Sequence, residues 1–174
     1  MWGEVNEEMK IRIQYNSPVV ITFAFLSLFA LLADEVSGGW TNQHIFSVYR
    51  APLSDPLTYA RAFLHVLGHT DWEHYSNNIL LMLVIGPQLE EKYGSKTLLL
   101  CISVTALVTG LVQCLLFPNA ALLGASGILF MMLLMASSIS VGQLLPCSGR
   151  YIASVSLRTC LHIASASIIS ADSQ

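Results

Sequence analysis

The residues in this chain best suited to chemistry are a serine and a set of histidines. Ser126 stands in Gly124-Ala125-Ser126-Gly127, at the head of an apolar run over residues 122–135. Small neighbours let other backbone approach the hydroxyl closely. A helix beginning there offers free N–H groups and a positive dipole end to a developing oxyanion. The same four residues also suit a close packing patch between membrane helices, which needs no chemistry.

Four of the five histidines fall in the first half of the chain, at His44, His65, His69 and His74; His162 is the fifth. His65 and His69 are four residues apart, as are His74 and Asn78, so a helix would place each pair on one face. Three uses of this cluster are open from the residues alone. One is a metal site on His65, His69 and His74, for which Asp71 or Glu73 would have to supply the acid. Another is hydrogen-bond donation by His74 and Asn78 to an oxyanion formed at Ser126. The last is capping of helix ends and loop carbonyls.

The elements that position these residues follow from composition. The chain has 174 residues, 54% of them hydrophobic and 11% charged, against about 25% charged in a soluble domain. This predicts a small all-α protein, a polytopic helix bundle of about four transmembrane helices with an irregular tail, its apolar surface facing the bilayer. A net charge of −3 gives no reason to expect a nucleic-acid partner. Cys101, Cys114, Cys147 and Cys160 lack C-x-x-C spacing, which argues against a disulfide framework or a zinc site.

Residues 1–16 are polar and carry Glu4, Glu7, Glu8, Lys10 and Arg12. Residues 17–33 form the first apolar run, just long enough to span. Lys10 and Arg12 could serve as the n-region of a signal peptide, but the acidic residues before the run and the spans after it favour an uncleaved first helix. Residues 34–59 read as a structured loop in or on the outer leaflet, with Trp40 and Tyr49 suited to a membrane interface. The second run, residues 74–89, stops at a charged turn around Glu90-Glu91-Lys92. The third spans 97–117 and the fourth 122–145. Residues 146–174 are serine-rich and broken by Arg150 and Arg158, with no further span evident. The division is thus a cytoplasmic segment 1–16, a membrane domain 17–145 and a divergent or truncated tail 146–174.

Lys and Arg set the orientation. With the N-terminus inside, the inner side holds Lys10, Arg12, Lys92, Lys96 and Arg150, while Arg50 and Arg61 lie in the long outer loop. The second and fourth spans then both run inward from outside, which puts His74, Asn78 and Ser126 at one depth. This predicts a multi-pass protein of the cell membrane with a cytoplasmic N-terminus.

Taken together, His65-x3-His69-x4-His74-x3-Asn78, Gly86-x3-Glu90-x3-Gly94 and Gly124-Ala125-Ser126-Gly127 resemble the rhomboid family of intramembrane serine proteases. The resemblance runs from about residue 49 to about residue 138. It implies a six-helix bundle whose water-filled cavity opens outward, and cleavage of the transmembrane segments of other membrane proteins without metal or cofactor. It implies Ser126 as nucleophile and an oxyanion hole lined by Asn78, His74 and the Ser126 N–H. His65 and His69 would be structural, and Glu90 would tie the inner helix ends together.

The family's general base is a histidine on the sixth helix, followed by small residues. After Ser126 only His162 is available, in Cys160-Leu161-His162-Ile163-Ala164. A path inward, back out and in again takes about 45 residues with turns, and His162 is nearer than that. A single return helix from Arg150 would reach the right depth but would carry Arg158 into the core, at roughly 2.5–3.5 kcal/mol. The expectation is that His162 does not reach Ser126 and that the tail after about residue 140 is truncated or altered. Two functions follow: an active intramembrane serine endopeptidase, or a catalytically inactive rhomboid-like protein or fragment that binds membrane helices and lacks the catalytic histidine helix.

Overall fold

Five helices and two short helical turns account for most of residues 17–144, which this computed structural model describes except for positions 53 and 118. The segments 1–16 and 146–174 and the candidate base His162 lie outside the described residues. Helix α1 is Pro18–Ser37, α2 Pro56–Leu64, α3 Trp72–Tyr93, α4 Ser95–Leu116 and α5 Ser126–Leu144. Among the described residues the only extended pairing is an isolated antiparallel bridge between Val48 and Leu122.

Two of these helices, α1 and α4, are long and apolar enough to cross a membrane. The distribution of side chains points the same way. Phe29 is 69% exposed and Leu115 74% exposed, and Phe25, Leu80, Val84 and Leu100 also face outward. On α4, meanwhile, Thr105, Thr109 and Gln113 recur every fourth residue and are buried. Polar groups turned inward and leucines turned outward fit a lipid surround, in which burying an apolar face against protein has little advantage over leaving it in contact with acyl chains.

Helix α1 runs further than its apolar stretch suggests, to Ser37, and closes on Gly38 in the left-handed region at φ 64°. Pro18 occupies its first turn, where the missing N–H removes no helical bond. Ser17 makes no side-chain cap. Glu90, distant in sequence, takes that role: its two carboxylate oxygens accept the N–H groups of Val19 at 2.9 Å and Val20 at 3.1 Å. Glu90 is 3% exposed and lies within α3, so the second run does not stop at a charged turn there. The helix carries on to Tyr93, and the turn falls at Gly94, φ 81°. Glutamate is a good helix former, and here its carboxylate also serves the N-terminus of α1, where an anion is favoured.

Gly86 lets α3 approach α1. A Cβ at this position would lie 2.7 Å from Val20 Cγ2. The hydroxyl of Tyr75 donates to the Ala24 carbonyl at 3.3 Å further along the same contact, and at its far end Trp72 Nε1 donates to Glu35. Helix α5 packs along α3 and against α4, with Ile128, Met131 and Met132 buried at the centre.

The connection 34–59 is folded, as its aromatics and prolines suggested. A wide helical turn at Asn42–Phe46 and helix α2 lie within or follow from it. Asp34 organises the start. Its carboxylate accepts from the Asn42 backbone at 2.7 Å, the Asn42 side chain at 2.8 Å and the Thr41 hydroxyl at 3.1 Å. Asp55 caps α2 by accepting from Leu57 N–H at 3.0 Å.

Candidate active site

Ser126 is the first residue of α5. The four residues ahead of it, counted with the apolar run in the sequence, are not helical. Leu122 and Val48 exchange two backbone hydrogen bonds at 2.9 Å, which anchors the approach. Gly124 then turns with φ 122° and donates its N–H to the His65 carbonyl at 2.8 Å. The α-helix starts immediately after, with Leu129 N–H bonded to the Ala125 carbonyl at 3.0 Å. Ala125 is fully buried and Ser126 is exposed. The serine therefore sits on a helix N-terminus whose first N–H groups have no helical acceptor.

The N-terminus of α3 meets this turn. Asp71 caps α3 by accepting the His74 N–H at 2.7 Å. That bond, with a second from the Thr70 hydroxyl, holds the Asp71 carboxyl below the usual carboxylate range. The ring of His74 lies against Gly124: a Cβ on that glycine would stand 2.9 Å from Cε1 and 3.2 Å from Nε2. Only glycine fits here, both for its backbone angle and for the ring. Asn78 follows one turn later on the same face of α3. It is 7% exposed, and its amide nitrogen has no hydrogen-bond partner among the described residues. A buried amide without a partner costs free energy, and a ligand oxygen able to accept from it would recover that cost.

His65 and His69 do not share a helix face. Helix α2 ends at Leu64, the chain tightens into a short turn at His65–Leu67, and Gly68 is extended. Gly68 passes so close to the neighbouring loop that a Cβ would meet the Phe46 carbonyl oxygen at 2.8 Å. This close passage accompanies the departure from helix between the two histidines. Each ring then finds its own partners. His65 Nδ1 lies 3.2 Å from the Arg61 carbonyl and Nε2 3.2 Å from Thr109 Oγ1. A neutral ring donates from one nitrogen only, and the Thr109 hydroxyl also lies 2.8 Å from the Thr105 carbonyl and 3.0 Å from the Ala106 carbonyl. Burial keeps the His65 ring neutral by lowering its pKa from 6.5 to about 4. His69 is likewise lowered to about 4, chiefly by burial. Its Nδ1 bonds to the Leu67 carbonyl at 3.1 Å, and its ring packs edge-on against His74 and Tyr75. The three histidines are thus turned to different partners, and no three His, Cys, Asp or Glu side chains among the described residues are grouped to hold a metal ion.

His65 links three elements. Its ring reaches α4, its carbonyl holds Gly124 before α5, and its own backbone follows α2. Asn42 gives His69 comparable support, donating from its side-chain amide to the His69 carbonyl at 2.7 Å.

Arg61, counted in the sequence as an outer-loop charge, is 5% exposed. Its Nε donates to the His44 carbonyl at 2.8 Å, its guanidinium lies 4.6 Å from the Tyr49 ring centroid, and it approaches Asp55 at 3.5 Å. Sequence reasoning also passed over the capping role of Asp71, although an acid three residues before His74 at the start of an apolar run is a helix-start signal.

A family model described as a Rhomboid domain matches residues 56–170, more than half of the chain. The match takes in His65, His69, His74, Asn78, Glu90 and Ser126, and it continues through the segment that contains His162. Comparison with curated proteins gives no match.

Proposed function

The chain belongs to the rhomboid family, and from that premise we propose that it is an intramembrane serine endopeptidase cleaving transmembrane segments of other membrane proteins. The observation that carries this reading is the buried amide nitrogen of Asn78, without a hydrogen-bond partner among the described residues, one turn from a His74 ring that lies against Gly124, two residues before Ser126. In this reading the Ser126 hydroxyl attacks the scissile carbonyl. The Asn78 amide, the His74 ring and the Ser126 N–H receive the charge that develops on the carbonyl oxygen, where preorganised donors have their largest effect. The hydroxyl needs a base to accept its proton and return it to the leaving amine. His162 is the one histidine that follows Ser126 in the sequence and is the candidate for that role.

His65, His69 and Glu90 hold the frame in this proposal: the first two fix the turn ahead of Ser126 and the start of α3, and Glu90 joins α3 to α1. The proposed arrangement has α1, α3, α4 and α5 as spans in the cell membrane, the N-terminus cytoplasmic, and Ser126 opening toward the outer side.

The test is labelling of the full chain in detergent or bilayer by a fluorophosphonate, together with cleavage of a transmembrane substrate. Labelling and cleavage that both disappear in Ser126→Ala are the expected result. A chain that binds transmembrane segments but neither labels nor cleaves would instead be an inactive, helix-binding member of the family.

A further inference from the structure

We propose that Thr70 and Asp71 act as positioning residues that fix the hydrogen of neutral His74 on Nδ1, so that the ring can donate a hydrogen toward the Ser126 turn only in its doubly protonated form. The inference starts from one hydroxyl and its two neighbours. Thr70 Oγ1 lies 2.7 Å from Asp71 Oδ2 and 3.3 Å from His74 Nδ1. The hydroxyl has a single hydrogen, and an ionised carboxylate can only accept. The short contact therefore takes that hydrogen, leaving the Thr70 oxygen as an acceptor. The longer contact to His74 then requires Nδ1 to donate.

The other carboxylate oxygen of Asp71 is committed to the backbone N–H of His74 at 2.7 Å. One acid thus caps α3 and, through Thr70, orients the ring on its first turn. A neutral imidazole has one N–H. With it on Nδ1, Nε2 carries only a lone pair, and Nε2 belongs to the edge of the ring that packs against Gly124. A lone pair cannot stabilise an oxyanion. This part of the inference rests on the protease reading: as an oxyanion donor, His74 must act as an imidazolium, with the Asp71 carboxylate as the nearby negative charge.

Among the described residues, the charged and titratable groups about the ring come from its own helix and the loop before it. Asp71 and Glu73 stand at the start of its own helix. From the preceding loop comes His69, edge-on with ring centroids 5.1 Å apart and kept neutral near pH 7 by burial. From the α5 side the ring meets Gly124.

The decisive variant is Asp71→Asn. The amide oxygen still accepts the His74 N–H, so the cap survives. Its nitrogen, however, now donates to Thr70, which frees the threonine hydrogen for Nδ1. The relay reverses, and the neutral ring carries its hydrogen on Nε2. Thr70→Val removes the relay with little change of shape, and Thr70→Ser keeps it.

The full chain, labelled with ¹⁵N-histidine in detergent micelles, is measured at about pH 9, where imidazoles are neutral, and the His74 signals are identified by their loss in His74→Gln. The expected result is a protonated Nδ1 and an unprotonated Nε2 in the parent and in Thr70→Ser. In Asp71→Asn and Thr70→Val the signals should shift to the Nε2–H form. An Nε2–H ring in the parent, or a parent-like ring in either of those two variants, overturns the proposal. This measurement needs no proteolysis, so a chain that fails to cleave leaves it intact and counts only against the protease reading.

Discussion

The carbonyl of His65 accepts the backbone N–H of Gly124 at 2.8 Å, so the residue that begins a short turn after α2 also holds the chain two residues before Ser126. The ring of the same histidine bonds across to Thr109 on α4. Burial also keeps that ring neutral near pH 7.

A pH dependence of stability follows. His65 and His69 each have a folded-state pKa lowered from 6.5 to about 4, so the unfolded chain binds more protons between those values. Stability is then fully present above about pH 6.5, falls as the pH drops toward about 4, and levels off below. At about 1.4 kcal/mol per pH unit per group, the loss amounts to up to about 3 kcal/mol for each histidine. Equilibrium unfolding in detergent from pH 8 to pH 4 should show this decline, and His65→Gln should remove one histidine's share of the slope.

Glu90 should be needed for α1 to stay docked. Its two bonds to the N-terminus of α1 are charge-assisted, one buried and one partly buried, and hydrogen bonds to charged groups contribute about 1.5–3 kcal/mol each. Glu90→Ala is expected to destabilise the protein by ~3 kcal/mol or more. Glu90→Gln, which keeps one acceptor oxygen, should cost about half as much. Thermal unfolding of the purified protein in detergent checks both values and their order.

The contact of Gly86 with Val20 makes a paired prediction. A methyl group at position 86 has to displace Val20, whose Cγ2 would be 2.7 Å away. Overpacking of this kind costs about 1–3 kcal/mol. Gly86→Ala should lower the unfolding temperature, and adding Val20→Ala should recover part of the loss. A double-mutant cycle over the four proteins would show coupling of about 0.5 kcal/mol or more; purely additive effects would mean that α1 and α3 are held apart at this point.

Asn78 separates chemistry from stability. Its amide nitrogen makes no hydrogen bond among the described residues, so Asn78→Ala should leave the unfolding temperature nearly unchanged. In an active chain it should reduce cleavage about 10²–10³-fold, the usual effect of removing one oxyanion donor. Cleavage of a transmembrane substrate and thermal unfolding of the same preparation give the two readings.

The sequence alone determined much of what places this chain in a class. Low charge and long apolar runs specify a helical membrane protein, because a helix satisfies its own backbone within lipid. Spacing put His74 and Asn78 on one helical face, because the period of the helix is local. The joint order of histidines, glycines and serine carried the family. The tertiary structure decided what depends on contacts between distant segments. Glu90 reads as the end of a helix until the N-terminus of α1 is seen to require its carboxylate. His65 and His69 read as one face until the close passage of Gly68 beside Phe46 is seen where the helix gives way between them. Arg61 reads as an outer-loop charge until the loop carbonyl and the Tyr49 ring are folded over it. The contact of His74 with Gly124, which joins α3 to the turn before Ser126, is likewise set by packing: residues 50 positions apart meet only because α5 and α3 lie side by side.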